Sequence, residues 1–236
     1  VEPLRAGFGW QYPAADLAAV PAKVSVTSIV HKQEQTTLER PAFLSKDGLT
    51  AAEMGTALHA FLEHADFAAL AAGLAGGGDT LAEAIRTERQ RQVEAKLTPP
   101  EIAEKLDAGR IRRFVESEAF ARICAADEVL RELDFITALP AAEVLTAQGT
   151  APADSAAVAQ AKVLVQGIAD LVLVFPDHLE LLDYKTDRRK SEDDFLAAYR
   201  AQLDLYALAI SKRFAPKPVT YKGIYSLELG KLIEVK

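Results

Sequence analysis

VLVQGIADLVLVFPDHLELLDYKT, residues 163–186, decides the fold. Two runs rich in aliphatic and β-branched residues flank Pro176-Asp177, a turn signal, so the stretch reads as an antiparallel hairpin. Alternate residues of a strand face the same side. Asp183 and Lys185 therefore project side by side, with Leu181 and Leu179 behind them on that face, and the hairpin brings Asp170 across from the pair. Two carboxylates and an ammonium on an otherwise apolar hairpin cost free energy unless they hold a metal and do chemistry. The alternative is an Asp–Lys salt bridge at the end of a sheet.

Downstream, Ser191 to Phe214 reads as one long helix, capped by Ser191 with Asp194 three residues on. Gln202 and Tyr206 share a face of it, and Tyr199 lies about one turn earlier. Pro216 and Pro218 end the helix; Val219 to Ser226 and Leu232 to Lys236 read as closing strands. Upstream, Leu130 to Leu139 alternates like a strand, with Glu132, Asp134 and Ile136 on one face and Leu133, Phe135 and Thr137 on the other. The Ala/Thr/Ser/Pro-rich run Ala141 to Ala161 reads as a flexible connection.

The first half is helical. Thr50 and Glu53 form a capping box before a stripe of Leu58, Phe61, Leu62 and Ala65. His59 lies one turn after Gly55. Glycine inside a helix costs about 1 kcal/mol relative to alanine, so Gly55 marks a close approach. His59 is either a packed core histidine or a ligand. His59, Glu63 and His64 do not make a zinc-protease HExxH, because the two histidines are five apart and diverge. Ala71 to Gly78 reads as a loop, with capping boxes at Thr80/Glu83 and Thr98/Glu101 and Pro99 at a first helical position. A run from Ala108 to Ala125 carries Ile111, Phe114, Val115 and Phe120 on one side, with Cys124 as a small buried residue. Lys23 to His31 starts like a strand. Val1 to Pro21 is broken by Gly and Pro, with Trp10 and Tyr12 as anchors, and reads as a linker or the tail of a preceding domain; the boundary is set at residues 22 and 23. This order gives an α+β fold: a small mixed sheet flanked by helices, with a helical insertion before the first core strand.

Half of the 236 residues are hydrophobic and 26% are charged, and no apolar run approaches membrane-span length. The opening Val1-Glu2-Pro3 carries no apolar leader, and the missing initiator Met points to a fragment of a longer chain. A single cysteine excludes a disulfide framework, a cysteine-held iron–sulfur cluster and a multi-cysteine zinc site, so cytoplasm is the expected location. Net charge −7 counts against non-specific phosphate binding. Local basic groups remain at Arg86/Arg89/Arg91, Arg110/Arg112/Arg113 and Lys185/Arg188/Arg189/Lys190, each equally a solvated face.

Acidic and imidazole ligands beside a lysine suit a hard cation, Mg²⁺ or Mn²⁺, and phosphodiester hydrolysis. There is no GxxxxGK[ST] phosphate loop. The residues also resemble a family. Asp170 in GIAD, with Asp183-Tyr184-Lys185 in LLDYKT, is similar to the core of PD-(D/E)xK nucleases. GTALH and QLDLY are similar to the GxxxH and QxxxY motifs of the RecB-like subgroup. YPAADLAAVPAKVSVTSI, LTPPEIAEKLDAGRIRRFVESEAF and RELDF resemble the nuclease domains of AddA-type helicase–nuclease subunits. Any one motif is common; five in order are specific.

The resemblance implies a restriction-endonuclease-like core over residues 23–236. It implies His59, Asp170, Asp183 and the Tyr184 backbone carbonyl as metal ligands, with Lys185 as the catalytic lysine beside Asp170 and Asp183. Gln202 and Tyr206 would position DNA or support the site, and Glu132 would support the metal through water. It further implies Mg²⁺, replaceable by Mn²⁺, and a single-stranded DNA substrate in double-strand-break repair. Helicase domains would lie N-terminal, with an AddB-type partner and no membrane. The competing readings are a stand-alone RecB-like exonuclease and a nuclease-like DNA-binding or docking module.

Overall fold

The computed structural model describes residues 15–26, 51–187 and 191–236. A 3-10 turn (Ala15–Ala19) leads to β1 (Lys23–Ser25). A helical layer follows: α1 (Ala51–His64), α2 (Phe67–Ala75), α3 (Gly78–Glu94), α4 (Pro100–Lys105), α5 (Ala108–Val115) and α6 (Glu118–Ala125). Then come β2 (Glu128–Pro140), α7 (Ala141–Ala147), α8 (Ala156–Gln160), β3 (Lys162–Val174), β4 (Leu179–Lys185), α9 (Glu192–Arg213), β5 (Val219–Ser226) and β6 (Lys231–Glu234). This is the expected α+β architecture, one mixed sheet between two helical layers.

β3 organises the sheet. One of its edges pairs antiparallel with β2 along most of its length. The other edge is shared: β1 runs parallel to it at Leu164–Gln166, and β4 antiparallel to it at Leu171–Val174. Residues 167–170 fall between these partners, and the sheet opens there. β4 is central, antiparallel to β3 and parallel to β5. A strand covered on both faces reads as a near-continuous apolar run, and Leu179, Leu181, Leu182 and Tyr184 are all buried. Its odd-numbered face packs with Leu205, Ala209 and Ile210 of α9. Its even-numbered face, Leu182 and Tyr184, meets the α1–α6 layer.

That layer is held by aromatic contacts. Phe114 lies edge-on to Phe120 at 5.6 Å, to Tyr184 at 5.5 Å and to Tyr225 at 5.1 Å. Each such pair contributes about 0.5–1.5 kcal/mol beyond the burial of its area. The Pro176-Asp177 turn forms as expected, closed by Phe175 N–H donating to His178 O at 3.0 Å. The capping box Ser191/Asp194 opens α9 as expected.

Several local expectations are corrected. Ala141–Ala161 is not merely a connection: α7 and α8 form there because Ala141, Val144, Leu145 and Val158 bury against the sheet and α9. Ala71–Ala75 belongs to α2, N-capped by Asp66, which buries Phe67 and Leu70. Thr80 lies inside α3 and donates to Gly76 O, while Thr98 is buried and donates to Gln92 Oε1. The run from Ala108 breaks at Ser117, which caps α6. Cys124 is exposed, because α6 turns Phe120 and Ile123 inward and the next residue faces out. Thr50, Trp10, Tyr12, Arg188, Arg189 and Lys190 lie outside the described residues.

Candidate metal centre

The site forms where β3 and β4 separate. Beyond the Leu171–Leu182 pair the next residues across the hairpin are Asp170 and Asp183. The Asp170 carboxylate replaces the lost ladder bond: its Oδ2 accepts the Tyr184 backbone N–H at 2.8 Å. On the opposite edge, Glu132 sits across from Asp170, between the Arg131–Leu171 and Leu133–Ala169 pairs. Glu132 has φ +45°, a left-handed conformation that is strained for a residue with a Cβ. The strain lies at the ring of carboxylates.

α1 supplies the imidazole. A Cβ at Gly55 would collide with Thr186 Oγ1, immediately after Lys185, so glycine lets the helix lie against the end of β4. One turn later His59 comes over the sheet opening. Its Nδ1 is 3.6 Å from Asp170 Oδ2, and its ring is edge-on to Tyr184 at 5.8 Å. One possible ligand atom from each of His59, Glu132 and Asp170 lies within 4.8 Å of the others. Glu132 thus lies within reach of the same space as His59 and Asp170.

Asp183 stands beside this trio, with Oδ2 2.6 Å from Lys185 Nζ and Oδ1 accepting from Gln202 Nε2 at 3.1 Å. The expected salt bridge therefore exists inside the constellation. Gln202 Nε2 also donates to Tyr206 Oη at 3.1 Å, and the Tyr206 ring is buried edge-on to Phe135 at 5.5 Å. Lys185 Nζ lies 4.7 Å from the Tyr199 ring centroid, and Tyr199 Oη donates to Asp187. Residue spacing assigns Tyr199 no role. Its one signal is its place a turn before Gln202 on the same helix.

Electrostatics set the chemistry. Burial, then repulsion from Asp170, Glu63 and Asp183, pushes the Glu132 carboxyl up to about 7. Burial pushes Asp183 up to about 6, against the pull of Lys185 and with a further push from Asp170. Burial likewise raises Asp170. Burial would lower the Lys185 ammonium, but Asp183 and Asp170 outweigh it and its pKa rises, so the lysine stays charged. Burial lowers His59, leaving it neutral and able to ligate, while Asp183 and a backbone hydrogen bond to Tyr184 oppose that shift. Carboxylates that resist ionising together are relieved by a divalent cation. The hard oxygen donors and one imidazole fit such an ion.

A family model of the PD-(D/E)XK nuclease superfamily matches residues 32–231. The chain belongs to that superfamily. The matched range includes Asp170, Asp183 and Lys185, which lie where the sheet opens. Among relatives, the chain is 36% identical over 222 residues to an ATP-dependent helicase/nuclease subunit of Moorella thermoacetica, covering 88% of this chain and 15% of that protein. Proteins of the same description from Bacillus velezensis and Desulforamulus reducens are 33% and 30% identical, covering 95% and 97% of this chain. The chain spans under a fifth of the length of these relatives, 19% and 18% for the latter two. Among the described residues no helix is long and apolar enough to cross a membrane.

A cavity of about 770 Å³ opens along the strands beside the site, lined by Asp134, Ile136, Gly167, Ile168 and Arg213 among others. Ile168 and Asp134 lie two residues from Asp170 and Glu132 on paired strands. This groove lies on the same two strands as the centre.

Proposed function

We propose that this chain is a Mg²⁺-dependent nuclease unit that hydrolyses phosphodiester bonds of single-stranded DNA. The observation that carries the reading is the convergence of His59, Glu132 and Asp170 beside the Asp183–Lys185 pair. His59, Asp170, Asp183 and the Tyr184 carbonyl would hold the cation, with Glu132 beside them. When bound, the cation supplies a more acidic water and neutralises a phosphoryl oxygen. Lys185, kept protonated by two carboxylates, would stabilise the charge that grows on the phosphate. Asp183 holds that ammonium, and Gln202 fixes the Asp183 carboxylate through its other oxygen. The groove beside the site would take the flanking strand.

The relatives' description as helicase/nuclease subunits supports a wider setting. In it the unit acts as an exonuclease in the cytoplasm, behind N-terminal helicase domains and with an AddB-type partner, on broken double-strand ends during recombinational repair. The test is cleavage of end-labelled single-stranded and duplex DNA by this chain in Mg²⁺, Mn²⁺ or EDTA. Metal-dependent cutting of the single strand that is lost in Asp170→Asn supports the reading. Cutting that persists in EDTA or in Asp170→Asn refutes it.

A further inference from the structure

The last turn of α1 leaves carbonyls without partners in the helix, as every helix end does. Many helices close with a glycine that turns the chain back. α1 instead runs through His64 and Ala65 directly into Asp66, the N-cap of α2. Side chains from two other elements take up its carbonyls. Arg131 Nη1 donates to Glu63 O at 2.8 Å and to Ala65 O at 2.7 Å. Gln92 Nε2 donates to Phe61 O at 3.0 Å, and Arg91 Nη2 to His64 O at 2.7 Å.

Each of these groups is itself held. The Arg131 guanidinium lies 3.9 Å from the Phe67 ring centroid. Buried Gln92 accepts from Thr98 Oγ1 at 2.9 Å and donates to Glu88 Oε1 at 2.9 Å. Buried Glu88 also accepts from Asp66 N–H at 3.2 Å and pairs with Arg91 at 2.6 Å. None of these residues lines the metal centre.

Arg131 immediately precedes Glu132 on β2 and pairs with Leu171, the residue after Asp170. One side chain thus bolts the end of the helix that carries His59 to the strand that carries Glu132. We propose that Arg131, backed by the buried Glu88–Gln92–Thr98 network, is a positioning residue that sets the height of α1 so that His59 reaches a cation shared with Asp170, beside Glu132. A helix slip of one residue moves a side chain by about 1.5 Å, whereas ligand distances in a metal site hold to about 0.2 Å. Cations at a helix C-terminus also favour the helix dipole, so the clamp suits its place. This inference rests on the metal-centre reading above.

The test is Mn²⁺ titration of the whole 236-residue chain, followed by electron paramagnetic resonance of free Mn²⁺, with melting in EDTA as the fold control. Removing groups that orient metal ligands costs about 10–100-fold in affinity. Arg131→Met, which keeps the stem and loses the donors, should weaken Mn²⁺ binding by an amount in that range, and Arg131→Lys should recover part of it. A role acting through His59 disappears once His59 is gone. In a His59→Ala background, Arg131→Met should therefore cost less than about twofold. Equal losses in both backgrounds, or undiminished affinity in Arg131→Met, overturn the proposal. Should Arg131→Met fail to fold, Arg131→Lys and Gln92→Met are read by the same cycle, with the same outcomes deciding. A wild-type chain that binds no Mn²⁺ would instead overturn the metal centre itself.

Discussion

Replacing Gly55 by alanine sets two effects against each other. By helix propensity alone the change adds about 1 kcal/mol of stability. In the folded protein the new Cβ meets Thr186 Oγ1, with Thr186 Cβ at 3.5 Å and Cγ2 at 3.8 Å behind it. With the Thr186 rotamer kept, relief requires α1 and β4 to part, by roughly 1 Å given ordinary contact distances of about 3.5–4 Å. Overpacking of this kind costs about 1–3 kcal/mol. The net effect is a loss of about 0–2 kcal/mol, or a melting point lower by up to about 8 °C at roughly 2–4 °C per kcal/mol for a chain of this size.

The functional loss should be larger than the loss of stability. His59 is one turn along the same helix, and a displacement of about 1 Å in a catalytic array costs on the order of 10²-fold in rate. The assay is melting in EDTA together with Mn²⁺ affinity and single-strand cleavage, for Gly55→Ala and for Gly55→Ala with Thr186→Ala. The second substitution removes the obstructing oxygen and should restore metal affinity. A Gly55→Ala protein that melts higher and binds Mn²⁺ as tightly as wild type would refute the account of Gly55 as a close-approach residue.

Lys185→Met should retain Mn²⁺ affinity and lose roughly 10²-fold or more in rate; loss of metal binding instead would mark the lysine as a purely structural partner of Asp183. Asp183→Asn should abolish cleavage yet leave a folded domain, judged by circular dichroism, because a buried carboxyl pushed up to about 6 gains little by ionising without metal. The same shifts give a pH dependence. Asp183 and Glu132, at about 6 and about 7 in the fold, lie above their ordinary values of 3.8 and 4.5. Their contribution to metal-free stability is fully present below the ordinary values and is lost as pH rises through the folded ones, so melting points in EDTA should fall from about pH 4 toward about pH 7. Metal affinity should run the opposite way, with protons released on binding, and calorimetry in buffers of different ionisation enthalpy measures them; a pH-independent affinity would exclude these carboxylates as ligands. Gln202→Leu, which strips Asp183 Oδ1 of its donor, should lower stability at neutral pH by about 1.5–3 kcal/mol, and urea unfolding that shows no change would remove Gln202 from the support of the site.

The hairpin and its chemistry were legible because they are local. Period-two alternation places Asp183 and Lys185 on one face, the Pro176-Asp177 turn folds Asp170 back toward them, and the Ser191/Asp194 box starts α9 where it was expected. Gly55 announced a close approach without naming what approaches it. Short-range rules failed where burial overrides them. Ala141–Ala161 looks like linker by composition, yet Val144, Leu145 and Val158 find the sheet and helices form around them. Thr98 carries the pattern of a cap but is buried and donates to Gln92 inside the helical layer, while Thr80, exposed within α3, donates to Gly76 O instead of capping. Only the tertiary structure decided that Glu132 joins His59 and Asp170, because the contact depends on a left-handed residue in a strand, and periodicity carries no trace of one. The same holds for Arg131, which reads as an ordinary strand cation until the end of α1, some 66–68 positions earlier, is laid against it. Sequence spacing encodes which groups share a face; which faces meet is set by how whole elements pack, and that depends on the sum of many distant contacts rather than on any one stretch.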